Sequence, residues 1–353
     1  MLDAMDSAAD AKRVTLAQVA QRAGVSVMTA SYTYNRPSRV SEQSRAKVLA
    51  AAAALGYAGP DPSARSLRRG STRTLGVVMG EHLSYAFEDP QAASFLAGIA
   101  DVCAESGYGM TILPITGADD DVSRIQSAAV DGFIVWTTSD DDPVLGAVRA
   151  VRRPAVVHGG PEVAGLGLVS IDNRAAARAV GTAAFAGAGR PAVVSFPLSR
   201  DRISTITRGP DIAGATFPVT RQRLEGYRQA AEDIGIPWSD VVVAVCAHND
   251  AAEAEQATAA LLSGTHAPDA IAAMSDEQAA GAIRAARAAG RTVPSDVAVT
   301  GWDDAAVATQ LGLTTVAQSL REQGAACAHA ALGHEPVPPA AAWSVVTRAS
   351  TRS

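Results

Sequence analysis

From Thr74 onward the chain repeats one pattern, a short apolar run followed by a stretch of helical character. The runs are LGVVM (75–79), GMTILPI (109–115), GFIVWT (132–137), AVVHG (155–159) and LVSI (168–171), then AVVSF (192–196), VVVAV (241–245), AIAAM (270–274) and VAVTG (297–301). Runs this short, rich in Val, Ile and Leu with no polar alternation, predict strands buried on both faces, joined by helices into parallel sheets. Helices are expected near 174–188, 221–235, 250–263 and 276–289. The count predicts two α/β lobes. Ligands of open α/β sheets collect beyond the carboxyl ends of the strands, and two such lobes face to face make a cleft that can close.

Strand ends therefore supply the first ligand-contact candidates. Asp172 and Asn173 follow LVSI, Ser275 and Asp276 follow AIAAM, Trp302 and Asp303 follow VAVTG, Trp136 ends GFIVW, and Arg223 opens RLEGYRQA. Carboxylates and guanidinium forks grip hydroxyls, and an indole stacks on a sugar face or a base. Asp172 and Asp276 are equally well placed as helix caps, whereas for Arg223 and Asp303 ligand contact is the preferred reading over the alternative of an ordinary surface ion pair. The loop GEHLSYAFEDPQ (80–91), with Tyr85 and Phe87, is expected to border the cleft. The long polar stretch 198–220 is read either as a lid or as disordered.

The amino-terminal segment is of another kind. In TLAQVAQRAGVSVMTASYTYNRPSRV (15–40), Thr15 and Gln18 form a capping-box pattern, Gly24 ends a first helix and Ser26 caps a second from about 27 to 35. The tight bend between them matches a helix-turn-helix. A third helix from Glu42 to Leu55 closes at Gly56, and Leu16, Val19, Ala20, Val25, Ala30, Val40, Val48, Leu49 and Leu55 are its expected shared core. Residues 1–11 carry no periodic pattern and are expected to be a disordered tail.

Charge separates this head from a merely structural bundle. Residues 11–73 hold eleven Lys or Arg against two carboxylates, Glu42 and Asp61, whereas residues 74–353 hold nineteen Arg and no Lys against thirty-one Asp or Glu. The asymmetry puts a phosphate-attracting potential on one end of a protein whose bulk DNA repels. The second helix is expected in the major groove, with Val27, Met28 and Thr29 near base edges and Ser31 and Asn35 at the backbone.

The order VTLAQVAQRAGVS, NRPSRVS, LGY, ARSLRRG and TLGVV, followed by SIDN, RLEGY, VPSDVAVTGWDD, LTTV and VVTRAS, resembles the LacI family of transcription regulators along nearly the whole chain. The resemblance implies an all-α helix-turn-helix head (12–58), a hinge (59–73) and a two-lobed periplasmic-binding-protein-like α/β body (74–353) for effector binding and dimerisation. It also implies a homodimer on a pseudo-palindromic double-stranded operator, repression rather than activation, and a small polar effector in the cleft. That effector is a sugar or derivative, with a purine or nucleoside as the alternative. Arg223 and Asp303 match effector-holding positions, with Asp172 and Ser275 at positions that often serve. Leu67 in the hinge matches a leucine that wedges between base pairs. Thr15, Tyr32 and Arg39 belong to the DNA-facing set, although Tyr32 stands where the family usually carries an Arg that reads guanine. One residue more than the common spacing separates Tyr57 from Leu67.

Competing classes fare worse. Gly187 and Gly189 lie after a helix and before a strand, the reverse of a dinucleotide fingerprint, and no phosphate-loop Lys with Ser or Thr occurs. Neither His248 with Asp250 nor Cys327 with His329 and His334 has metal or nucleophile spacing, so no enzyme, metal or cofactor is expected. Cys103, Cys246 and Cys327 are expected as buried thiols. A sugar-binding transport component would account for the lobes but not for the basic head, and the chain shows neither a signal-peptide pattern nor an apolar run of membrane-spanning length, which makes a cytoplasmic protein the expectation.

Overall fold

The computed structural model describes residues 14–59, 70–80, 84–338 and 340–352, with the backbone alone at residues 85 and 86. The chain divides into two compact units between Thr72 and Arg73. Residues 60–69 of the hinge, with Leu67, the 1–11 tail, Lys12 and Arg13 fall outside the described residues.

The first unit is the three-helix head. Helix α1 (Leu16–Ala23) starts at Thr15, whose Oγ1 accepts from the Gln18 amide while Gln18 Oε1 accepts from the Thr15 amide at 2.8 Å. Gly24 ends it at φ 66°, a left-handed conformation that costs glycine no Cβ clash. Ser26 caps α2 (Val27–Asn35) through the Thr29 amide at 3.0 Å, and Ser41 caps α3 (Glu42–Leu55) through Ser44. Val19, Ala20, Ala30, Val48, Ala51 and Ala52 form the buried core. Two expected members differ. Leu49 is 45% exposed and Val40 only half-buried, because on α3 the face shared by Val48, Ala51, Ala52 and Leu55 follows i, i+3, i+4, i+7, and Leu49 stands one step round the helix from it.

The second unit holds two sheets. In lobe 1, β1 (Thr74–Met79), β2 (Gly109–Pro114), β3 (Gly132–Trp136), β4 (Ala155–His158) and β5 (Gly167–Val169) are parallel in the order β2-β1-β3-β4-β5. They are covered by α4 (Pro90–Ser106), α5 (Asp121–Ser127) and α6 (Pro143–Val151). In lobe 2, β6 (Pro191–Ser195), β8 (Val242–Val245), β9 (Ala270–Ala273), β10 (Ala298–Asp303) and β11 (Thr314–Gln318) are parallel, and β7 (Thr205–Arg208) and β12 (Trp343–Val346) close the two edges antiparallel. Its helices are α7 (Asn173–Phe185), α8 (Pro218–Asp233), α9 (Ala251–Ser263), α10 (Asp276–Ala288) and α11 (Ala306–Leu311).

The lobes are not consecutive halves of the chain. The helix α12 (Leu320–Ala331) leaves β11 of lobe 2 and packs its Leu320, Cys327, Ala328 and Ala331 into the core of lobe 1, and the chain then returns to lobe 2 at β12. Three connections therefore join the lobes, near residues 170–173, 318–320 and 337–343. Backbones meet directly where α4 crosses α12. A Cβ on Gly98 would lie 1.9 Å from the Arg321 carbonyl oxygen, and one on Gly324 would lie 2.2 Å from that of Phe95. The nine predicted strands are all present. The sequence reading passed over β7, exposed along its whole length, β11, which begins with two threonines, and the short edge strand β12, since none of them is an apolar run. The segment 198–220, for which lid and disorder were the alternatives, is ordered: Ile212 enters the lobe 2 core and Trp238 Nε1 donates to the Pro210 carbonyl at 3.0 Å. All three cysteines are buried.

Candidate functional site

On the head, the first turn of α2 leaves Val27 52% and Met28 64% exposed. Large apolar side chains at the start of a helix whose opposite face is the core offer contact to thymine methyl groups in a major groove. Thr29 is half-buried and its hydroxyl lies 2.8 Å from that of Ser26, so the capping pair holds it. Asn35 Nδ2 donates to the Ser31 carbonyl at 3.1 Å and to the Ser31 hydroxyl at 3.3 Å, which fixes these two polar side chains on one turn. Tyr32 is half-buried, Thr15 is exposed at its cap, and Arg39 is exposed in the short helical turn Pro37–Arg39.

Within the second unit, a cavity of about 130 Å³ lies between the strand ends of the two lobes. Arg223, 6% exposed on α8, is its best-anchored charge. Its Nε donates to Asn173 Oδ1 at 3.0 Å and Nη1 to the Met274 carbonyl at 2.5 Å, while the guanidinium stands 3.7 Å from the ring centre of Trp302. That indole is fully buried and does not line the cavity, so Trp302 is the platform beneath Arg223 rather than a stacking surface for a ligand.

Asp303 ends β10 and faces the same space, accepting from Gln318 Nε2 at 2.7 Å. Burial pushes its carboxyl up to about 6, and the Arg223 charge and the Gln318 bond hold it from rising further. Behind it Asp276, 1% exposed, accepts from the Thr315 hydroxyl and the Ala305 amide, both at 2.7 Å. Burial and then the charge of Asp303 push Asp276 up to about 7.

A line of polar side chains leads from Asp303 along the cavity into lobe 1. Gln318 Oε1 accepts from Gln323 Nε2 at 3.1 Å, and Gln323 Oε1 is 3.0 Å from His158 Nε2. An ionised Asp303 can only accept, so each amide in turn presents its oxygen to the next donor and His158 carries its proton on Nε2. Burial lowers the His158 imidazole to about 4 and keeps it neutral. Its ring stacks on Trp136 at 5.0 Å, and Phe95 meets Trp136 edge-on at 4.5 Å. Trp136 is thereby locked as an apolar wall of the cavity, with Phe196 and Phe217 on other sides. Among charged side chains that line the cavity, Arg202 and Arg223 are balanced by Asp89 and Asp303.

Of the predicted ligand residues, Trp136, Arg223 and Asp303 come together on this cavity. Asp172 does not: it is exposed and caps α7 through the Ala175 amide at 2.9 Å, and its neighbour Asn173 faces the cavity instead. The cap geometry turns the Asp172 carboxylate along its own helix, so consecutive residues face different ways. Ser275 is buried one layer behind the wall, capping α10 and donating to Asn249 Oδ1 at 2.5 Å. Asn249 lines the cavity and donates to Asp89 Oδ2 of lobe 1 at 2.8 Å. Phe87 is 69% exposed and away from the cavity, and of Tyr85 only the backbone is described. From the 80–91 loop the lining residues are Asp89 and Gln91.

Sequence reasoning missed His158, Gln318 and Gln323, although His158 and Gln318 end strands and the rule that found Trp136 applies equally to them. Nothing local marked Arg202 or Phe217, which reach the cavity from the long segment before α8. Among the described residues no group of three or more His, Cys, Asp or Glu is placed to hold a metal ion, and no helix is long and apolar enough to cross a membrane.

Residues 15–59 match the family of bacterial regulatory proteins, lacI family, and residues 202–353 match the periplasmic binding protein-like domain. The chain is 37% identical to an HTH-type transcriptional regulator of Mycobacterium tuberculosis over 89% of each chain. It is 30% identical to the ribose operon repressor of Escherichia coli K12 over 88% of this chain and 89% of that one. A solved complex of the transcriptional regulator CelR with cellobiose superposes with a TM-score of 0.66 at 26% identity, covering 96% of this chain and all of that chain. With the helix-turn-helix head, the two-lobed body and relatives that are regulators rather than enzymes, the chain belongs to the lacI family of DNA-binding transcriptional regulators.

Proposed function

We propose that the protein is a homodimeric repressor whose operator affinity is set by a small neutral polyhydroxylated ligand, a sugar or sugar derivative, bound between the lobes. The observation that carries this reading is the cavity between the strand ends, lined by anchored Arg223 and Asp303 together with the rings of Trp136, Phe196 and Phe217, and with charges of both signs in balance. Balanced charge suits hydroxyls, which both donate and accept, better than a phosphate or a carboxylate. The ribose repressor and the CelR–cellobiose complex are relatives whose names carry sugars.

DNA affinity is assigned to the basic head, with Val27 and Met28 at base edges, Thr15, Thr29, Ser31, Tyr32, Asn35 and Arg39 around them, and Leu67 in the hinge as a minor-groove wedge. The two heads of a dimer would read the halves of a pseudo-palindromic site, in the cytoplasm. Ligand binding changes the closure of the lobes and hence operator affinity, because it favours one of two states.

The test is a thermal-shift screen of sugars, polyols and nucleosides, followed by operator titration with each hit. A ligand at one hundred times its dissociation constant stabilises by about 2.7 kcal/mol. A sugar that both raises the melting temperature and changes operator affinity is the expected result, and Asp303→Asn should abolish both effects. Nucleosides alone as hits, or an Asp303→Asn protein with an intact response, would overturn the assignment.

A further inference from the structure

The segment before α8 delivers two side chains that divide the cleft. Arg202 Nη1 donates to the Ala247 carbonyl beyond β8 at 3.1 Å, and Nη2 to the Gly80 carbonyl beyond β1 at 3.4 Å, so one guanidinium ties the strand ends of both lobes together. It also stands 5.7 Å from the ring centre of Phe217. On the inner side of this pair lies the 130 Å³ cavity described above. On the outer side lies a second cavity of about 500 Å³, lined among others by Thr116, Thr138, Asp141, Arg200 and His248. Both cavities have Thr137, Arg202 and Phe217 as walls, so these side chains are the partition between them.

We propose that Arg202, with Phe217, determines how long a ligand this protein accepts: the partition confines the ligand to one sugar ring in the inner cavity and keeps a second ring out of the outer one. This rests on the saccharide reading given above. Size supports an upper limit of one ring: the inner cavity is smaller than the roughly 150 Å³ that encloses a benzene ring, so a single ring with its hydroxyls already fills it, whereas pockets for larger ligands run from about 300 to 1,000 Å³. The inner cavity is in the first class, and the two joined would be in the second. A disaccharide would have to displace a guanidinium from two carbonyls, and a hydrogen bond from a charged donor is worth about a factor of ten or more in affinity.

Arg202→Gly removes the partition without straining the chain, since residue 202 has φ 49°, which glycine adopts freely. Isothermal titration of wild type and variant with D-glucose against cellobiose and maltose, D-galactose against lactose, and D-ribose reads the ratio of two-ring to one-ring affinity. Melting curves confirm that the variant is folded, and Arg202→Gln serves in its place if it is not. Wild type should bind a one-ring sugar at least about tenfold more tightly than the matching disaccharide, and in the variant the ratio of two-ring to one-ring affinity should rise by about tenfold. A wild type that binds the disaccharide as well as the monosaccharide, or a ratio unmoved by Arg202→Gly, overturns the partition while leaving the saccharide reading intact. Failure of every sugar to bind either protein overturns the saccharide reading, and the partition with it.

Discussion

Replacing Arg223 with Met tests the energetics of the cleft independently of any ligand. Methionine keeps most of the apolar stem but removes the two hydrogen bonds to Asn173 and Met274 and the stack on Trp302. Bonds from a charged donor contribute roughly 1.5–3 kcal/mol each, and a desolvated cation–π contact about 2 kcal/mol. Against these stands the relief of no longer burying a charge, which is several kcal/mol. The net loss is about 3 kcal/mol, a large fraction of the roughly 5–15 kcal/mol that holds a protein folded. It also depends on pH in a predictable direction. Asp303 titrates at about 6 in the folded protein, above its ordinary value near 3.9. The folded state therefore binds the proton more tightly, and stability falls as pH rises from about 4 to about 6. Without Arg223 the folded value moves further up and the decline continues to higher pH. The deficit of the variant should thus be larger at pH 8 than at pH 5. Urea unfolding followed by tryptophan fluorescence measures it for the body alone, since Trp136, Trp238, Trp302 and Trp343 all lie in the second unit. A deficit below about 1 kcal/mol at pH 8, or one that is larger at pH 5, would refute the assigned roles of Arg223 and Asp303.

Two further outcomes follow from packing and exposure. Gly98→Ala places a methyl group 1.9 Å from the Arg321 carbonyl oxygen and should destabilise lobe 1 by several kcal/mol, on the order of the larger core-overpacking losses; an unchanged urea midpoint would show that α4 and α12 do not cross as closely as described. Met28→Ala should change base preference in a randomised half-site selection, because the 64% exposed side chain is assigned to a base edge, whereas Lys47→Ala, which removes a cation of α3 expected to face the DNA phosphates, should lower affinity evenly across sequences. Identical sequence preferences for wild type and Met28→Ala would remove Met28 from the reading set.

What the sequence determined by itself was everything carried by neighbours along the chain. The caps Thr15, Ser26 and Ser41, the stops Gly24 and Gly56 and the nine apolar runs are local signals, because a cap satisfies amides within its own first turn and a buried strand must be apolar residue by residue. The ligand candidates at strand ends were half local. Rules of α/β sheets brought Trp136 and Asp303 to one place and the family resemblance added Arg223, but whether a side chain turns to the cavity or along its own helix was decided by tertiary structure, as Asp172 and Asn173 show one residue apart. Trp302 illustrates the same limit, since only the approach of the Arg223 side chain from α8 to its ring made it a platform under Arg223 instead of a wall. The polar line from Asp303 through Gln318 and Gln323 to His158 joins residues up to 165 positions apart, and the Arg202 partition joins Gly80 to Ala247. Such contacts leave no periodic trace in the sequence. They arise because the chain crosses between the lobes three times, so the facing strand ends come from distant segments whose approach only the folded molecule sets.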